Sequence, residues 1–590
     1  MKILLIQPPV LDFYQTSMRT QPIGLAYLAA SLQARGYEVE ILDCQAGKKK
    51  SIPVPSELSY LRDLYPFGDR SPFKLYTGYY HFGMGWGEIR KKIGDSKADL
   101  FGISSSFTPY HGEALKVARI IKEWNKKNMV VMGGSHVSSE PEGVLRSPDV
   151  DYIVLGEGEF RFPALVEQIQ KGRVKEISGI DGVGYRTDGE MRIHPLRDFI
   201  QDLNSLPFPE RGLLDPDRYR INGKRSTMLI TSRGCPHGCA YCSTHLVMGS
   251  SFRVRNPENI LQEMRECHRK YGIEVFDLED DNFTYDLERA KRLMKLVMDA
   301  FGEKNIELTA MNGVSFASLD GEVLGLMKRA GFHTVNLSYV SSDPSTKERM
   351  RRPRERTDFN QILKKAEEVG LKVIAYAILG MPDQTIEEMV DTLIYLMGKK
   401  VLVGPSIYYP VPGTPLFQRC KEDGILPSNL SQWRSSGLPI ETKEFNRLDM
   451  VTLLRLARVI NFIKGKMDRG ELEVGITWEA LFQGLKDKAT SKNVIPAKAG
   501  IQKRLKSLDS RFRGSDEYGI IRASHKVKAE DGVILWPDIL LMLLKERSFF
   551  SLRKVSRNGF SMVQEKTSKR VLDYFLKSAL EKPILKSRND

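Results

Sequence analysis

Ser232-Arg233-Gly234-Cys235-Pro236-His237-Gly238-Cys239-Ala240-Tyr241-Cys242 decides the reading of this chain. It puts three of the six cysteines within eight residues, spaced C-x3-C-x2-C. The run before it, Thr227-Met228-Leu229-Ile230-Thr231, reads as a short buried strand. Gly234, Pro236 and Gly238 suit neither strand nor helix, so the cysteines fall on a loop. A tight loop can turn three thiolates toward one point, and soft thiolates select iron–sulfur clusters, zinc or copper(I). Three ligands on a four-iron cluster leave one iron open to a small molecule. His245 offers the alternative, a closed Cys3His zinc site in C-x3-C-x2-C-x2-H.

Downstream, residues 226–445 alternate strand and helix patterns. Strands read at 227–231, 274–279, 306–310, 334–339, 372–379 and 402–408, with helices between them. This suits an open, partial (β/α)6 barrel, whose chemistry sits at the carboxyl ends of the strands. The cysteine loop follows the first strand, as that rule requires. The second strand ends in Glu279-Asp280-Asp281-Asn282-Phe283. Adjacent carboxylates there can bind an ammonium group, or cap and charge the helix that follows.

Upstream, residues 1–175 also alternate, with strands at 2–7, 37–42, 100–104, 129–132 and 150–155. That pattern is α/β: a doubly wound, Rossmann-like parallel sheet covered by helices, which takes ligands at its carboxyl edge. The strand ends carry Gln7-Pro8-Pro9, Ser104-Ser105-Ser106, Gly133-Gly134-Ser135-His136 and Gly156-Glu157-Gly158-Glu159. Small residues admit a large flat ligand, and hydroxyls and free N–H groups can bond its amide arms. Residues 176–225 read as a hairpin and linker, with Asp188-Gly189 at the hairpin tip.

These motifs in order resemble the radical S-adenosylmethionine (SAM) enzymes with an N-terminal cobalamin (B12)-binding domain. The resemblance rests on C-x3-C-x2-C and on P-x-G-L-x-Y-L-A at Pro22, Gly24, Leu25, Tyr27, Leu28 and Ala29. It also rests on G-G-x-H, G-E-G-E and P-x-P-G-T at 410–414, and covers about 1–445. It implies that Cys235, Cys239 and Cys242 hold a [4Fe-4S] cluster whose fourth iron is chelated by SAM. Tyr241, Asp280, Asp281, Ser341 and Gly380 become SAM contacts, and one of Arg349, Arg351, Arg352, Arg354 and Arg356 meets its carboxylate. Relatives commonly carry Glu where Val340 falls, so Ser341 is the remaining ribose candidate. Pro8, Ser104, Ser105, Ser106, Gly133, Gly134, Gly156 and Glu157 become cobalamin contacts. No Asp-x-His-x-x-Gly is present, so the lower cobalt face has no assignable ligand; His136 is read as bonding its own turn.

In relatives SAM yields a 5′-deoxyadenosyl radical that abstracts substrate hydrogen, and methylcobalamin supplies a methyl group. The resemblance therefore implies methyl transfer to an unactivated carbon of a small-molecule or lipid-like substrate. It also implies a one-electron reductant such as flavodoxin or ferredoxin. The alternatives are radical cyclisation, ring rearrangement or hydration without methyl transfer, and a Cys3His zinc protein binding RNA through basic surface. The charge, +15 over 590 residues, leaves the last open, yet no nucleic-acid motif accompanies it, so no nucleic-acid partner is expected. Few, scattered cysteines and no long apolar run fit a cytoplasmic protein.

Residues 446–590 read as mostly α-helical, with helices at 448–467 and 478–486. Val533–Leu544 is apolar and followed by basic residues. It reads as a buried helix, or as one lying on a membrane surface. Asn493–Asp516 breaks the helical pattern and resembles a translated intergenic repeat, so it reads as an insertion.

Overall fold

The computed structural model describes residues 1–14, 21–45, 47–187, 189–354, 357–491, 527–529, 532–534, 536–554 and 560–585. The expected insertion at 493–516 lies outside them, as does Arg356.

Near-continuous apolar strands, such as Lys2–Gln7, are buried on both faces and so assemble in parallel. The N-terminal sheet has seven strands in the order Glu190–Ile193, Val183–Thr187, Tyr152–Val154, Met129–Gly133, Leu100–Ser104, Lys2–Gln7, Glu38–Asp43. The last five pair in parallel. Apolar residues pack on both sheet faces, giving two core clusters. The hairpin expected in the connector instead extends this sheet. Val183–Thr187 pairs antiparallel with Tyr152–Val154, Tyr152 opposite Tyr185.

The second unit has six parallel strands. Lys224–Leu229, Val275–Leu278 and Glu307–Thr309 form one sheet. Thr334–Val340, Lys372–Leu379 and Leu402–Ile407 form another. Bridges Leu308–Phe332 and Val314–Leu337 join the two. No pairing among the described residues closes Leu402–Ile407 onto Lys224–Leu229, so the barrel is open.

Two features depart from the expected layout. The segment after Glu38–Asp43 does not pack on its own sheet: Leu58, Leu61, Tyr65 and Phe73 join the barrel core. The C-terminal helices Arg447–Asp468, Trp478–Ser491, Trp536–Glu546 and Lys569–Ala579 enter the same core, through Ile460, Trp478, Leu540 and Phe575. Two hairpins, Val527–Ala529 with Gly532–Ile534 and Phe550–Lys554 with Phe560–Gln564, accompany them. Ile539, Leu540 and Leu543 are buried, so this helix packs on the core. No helix among the described residues is long and apolar enough to cross a membrane.

Asp12 fastens the N-terminal unit to the loop after the barrel. It is fully buried and receives Tyr110 Oη at 2.6 Å, Ser436 Oγ at 2.8 Å and the Arg434 guanidinium at 3.1 Å. Removing one partner of a buried pair strands the other charge. Asp12→Ala should therefore lower stability by about 3–5 kcal/mol, read as a fall in the urea midpoint, and Asp12→Asn by less.

Candidate active site

The cysteine loop is held by carboxylates from the end of the next strand. Asp280 accepts from Thr231 N at 2.6 Å, Ser232 Oγ at 2.6 Å and the Thr231 hydroxyl. Asp281 accepts from Gly234 N at 3.1 Å and Thr244 Oγ1 at 3.0 Å. Gly234 has φ +80°, and a Cβ there would lie 2.3 Å from Ser251 O, so this turn requires glycine. Ser232–Arg233 pairs with Arg253–Val254 as a short antiparallel ribbon.

Cys239 is buried, and Cys235 and Cys242 are half-buried. Burial raises the Cys235 and Cys242 thiols, and each is raised further by neighbouring thiols and Asp281. Three thiolates beside a carboxylate are costly unless a cation neutralises them, so the donor set fits an iron cluster. Cys242 Sγ lies 3.2 Å from Thr244 Oγ1, and Cys239 Sγ lies 3.8 Å from Arg352 Nη1. His245 is exposed. Among the described residues no three His, Cys, Asp or Glu side chains gather closely enough to hold a single metal ion. A cluster spreads its ligands wider than one ion does.

The expected SAM contacts divide. Tyr241 stands at the cysteines, its hydroxyl receiving Arg352 Nη1 at 3.1 Å. Arg352 also donates to Ser338 O at 3.0 Å, which singles it out from the arginine run; Arg349 pairs with Glu388. Asp280 is 2 % exposed and its oxygens are taken by the loop, so it is not placed to receive an ammonium. The helix cap that was the alternative is Asp286. Ser341 is fully buried, bonded by Asp343 N at 3.1 Å and near Thr392 Oγ1, which removes it as a ribose contact. Gly380 has φ +80° and its missing Cβ would strike Met450 Sδ at 2.9 Å, so the packing of the C-terminal helix demands it. Val340 is β-branched yet has φ +70°, a strained conformation at a strand bulge.

A cavity of about 370 Å³ lies at the carboxyl edge of the N-terminal sheet. All eight expected cobalamin residues line it: Pro8, Ser104, Ser105, Ser106, Gly133, Gly134, Gly156 and Glu157. Across from them, the barrel contributes Met228, Ile230, Arg233, Met248 and Glu279, none of which the sequence pattern singled out for this ligand. The lining is more apolar than polar, as in cofactor sites generally. Gly134 has φ +115°, and a Cβ would lie 2.7 Å from Ser105 O. The cradle thus fits a broad, flat cofactor, and no histidine is among its lining residues. His136 does not bond its own turn. Its Nδ1 meets Thr108 Oγ1 at 3.1 Å, and its ring packs 4.3 Å from that of His111, which meets Ser105 Oγ at 3.0 Å. Burial lowers His111 to about 4 and His136 to about 3, so both are neutral supports behind the serine loop.

Glu157 lines the cavity and also forms buried ion pairs. Its oxygens receive Arg233 Nη1 at 2.9 Å and Arg253 Nη1 at 2.8 Å, and Ile200 N at 2.8 Å. Glu159 receives Arg233 Nη2 at 2.5 Å. All four charged side chains are buried.

Glu279 faces the cavity with no ion-pair partner among the described residues; Asn312 Nδ2 donates to it at 2.7 Å. Burial, then the neighbouring Asp277, pushes it up to about 8. The folded state therefore favours the protonated acid. Its contribution is fully present below the unfolded carboxyl value and is lost as pH rises toward about 8. The stability of Glu279→Gln relative to wild type should therefore rise as pH rises through that window, read from denaturant melts at stepped pH.

Two family profiles match the chain: "Radical SAM superfamily" over residues 229–396 and "B12 binding domain" over residues 82–166. An uncharacterized methyltransferase of Pyrococcus horikoshii is 30% identical over 478 residues, covering 79% of this chain and 94% of that protein. Cytidylyl-2-hydroxyethylphosphonate methyltransferase of Streptomyces wedmorensis is 26% identical, covering 73% and 84%. Among solved structures, the radical SAM methyltransferase TsrM from Kitasatospora setae aligns with TM-score 0.56 at 19% identity, covering 72% of this chain and 76% of that one. OxsB, a cobalamin-dependent SAM radical enzyme, aligns with TM-score 0.51 at 15% identity, covering 80% and 62%. These two share the fold. With the thiolate loop, the glycine- and serine-lined cradle and these matches together, the chain belongs to the radical SAM enzymes that carry an N-terminal cobalamin-binding domain.

Proposed function

We propose that this enzyme transfers a methyl group to an unactivated carbon of a small-molecule or lipid-like substrate. One observation carries the reading: a single cavity is lined by the strand ends of the sheet and by the barrel beside the cysteine loop. When bound, the [4Fe-4S] cluster and SAM supply a hydrogen-abstracting radical, and cobalamin supplies the methyl group. The chain's own part is to position these groups and keep water away. Cys235, Cys239 and Cys242 would ligate the cluster. Tyr241 and Arg352 stand beside them, and the Arg352 guanidinium would meet a carboxylate. Ser104–Ser106 and Gly133–Gly134 would take the flat cofactor. A flavodoxin- or ferredoxin-like donor would supply the electron.

The two methyltransferase relatives above support methyl transfer over cyclisation. An anaerobic magnesium-protoporphyrin IX monomethyl ester cyclase of Rubrivivax gelatinosus is also similar, at 24% identity over 65% of either chain. Anaerobic turnover of metabolite extracts with methyl-labelled SAM separates the two: label in a carbon-bound methyl group supports the proposal, and an unlabelled cyclised product sinks it.

Each of Cys235→Ala, Cys239→Ala and Cys242→Ala should abolish SAM cleavage and lower iron content while hydroxocobalamin still binds the full chain. Equal damage from His245→Ala, with zinc in place of iron, would overturn the cluster assignment.

A further inference from the structure

We infer that Glu157, Glu159, Arg233 and Arg253 are positioning residues that fix the spacing between the cobalamin face and the cluster loop. The inference rests on both cofactors occupying the sites proposed above. Glu157 and Glu159 follow the strand Tyr152–Val154, directly after Gly156 on the cavity wall. Arg233 lies two residues before Cys235 and in the ribbon that starts the cysteine loop. Glu157 is bonded by both arginines, at 2.9 and 2.8 Å, and Glu159 by Arg233 at 2.5 Å. One carboxylate that lines the cofactor cavity is thus tied to the backbone that carries the first cluster ligand.

The tie is braced on every side. Arg253 Nη1 also donates to Ile200 O at 2.5 Å and Nη2 to Met248 O. Ile200 N donates to Glu157 at 2.8 Å. The Arg233 guanidinium stacks over the Tyr27 ring at 5.3 Å, on the helix beneath the cavity. Gly156 has φ +63°, and a Cβ there would lie 2.8 Å from Leu196 Cδ2 and 3.4 Å from Val247 O, so the strand end and the loop after the cysteines are in direct contact. The paired oxygens face protein donors, which is why the role is spacing and not contact with the cofactor. Misplacement of reacting groups by about 1 Å costs on the order of a hundredfold in rate, so two cofactors serving one substrate need such a spacer.

The test uses the full chain reconstituted with hydroxocobalamin, iron and sulfide. It is reduced so that cobalt(II) and the cluster are both paramagnetic, and the spin–spin distance is read by pulsed EPR. Glu157→Gln keeps the shape and removes the charge. It should retain both cofactors yet move or broaden the distance distribution by about 1 Å or more. Leu324→Ala, in the barrel core, should lower stability without moving the distance. A Glu157→Gln distribution superimposable on wild type overturns the inference. So does weaker hydroxocobalamin binding with the distance unchanged, which returns Glu157 to the role of a cofactor contact. If Glu157→Gln does not fold, Arg253→Lys, which keeps the charge and loses the fork, is read by the same criteria. Failure of wild type to take up cobalt or iron would overturn the cofactor reading beneath.

Discussion

The arrangement depends on charge buried between the sheet and the barrel. Behind Glu157, Glu159, Arg233 and Arg253, Glu263 on the barrel helix Pro257–Tyr271 holds Arg211 of the connector at 2.7 Å and Arg255 at 2.6 Å. Charges of this kind are costly to bury unless each finds its partner. A rotation or slide of one unit against the other would leave several unpaired, at a cost of about 3–5 kcal/mol for each broken pair. The apolar contacts across the boundary are non-directional and could tolerate such a slide. The ion pairs cannot, so they specify the orientation that brings two sets of strand ends onto one cavity.

Around that fixed interface, the remaining contacts close the structure from above. The segment 50–82 leaves its own sheet and gives Leu58, Leu61, Tyr65 and Phe73 to the barrel core. Tyr60 and Tyr65 donate to Gly437 O and Ser436 O, at 2.5 and 2.7 Å. Asp69, held in the same segment, receives Leu552 N from a C-terminal hairpin at 2.9 Å. The three regions therefore share cores and polar ties, and the C-terminal helices are part of the wall behind the barrel.

Legibility in the sequence follows from how local each signal is. Strand runs such as Lys2–Gln7 and Leu100–Ser104, and the cysteine loop, are set by neighbouring residues, so periodicity and glycine placement find them. The cavity wall lies at the strand ends, where an α/β sheet takes ligands, and all eight expected positions line it. Pairing across the chain was not legible. Nothing in Gly-Glu-Gly-Glu says that its carboxylates meet an arginine more than seventy residues away. The same holds for Ser341, which the resemblance offers as a ribose contact and which lies fully buried beside Thr392. The hairpin at 183–193 was recognised by its turn, but its partner strand was chosen by tertiary contact.

The second strand end shows how one short acidic run divides its work. Asp280 is fully committed to Thr231 and Ser232, and Asp281 to Gly234 and Thr244. Both brace the cysteine loop. Glu279, one residue earlier, lines the cavity and is pushed up to about 8 by burial and Asp277. Glu279, held neutral by burial in a mostly apolar chamber, can donate a hydrogen bond into it. The run therefore braces the thiolate loop with two carboxylates and lines the cavity with the third.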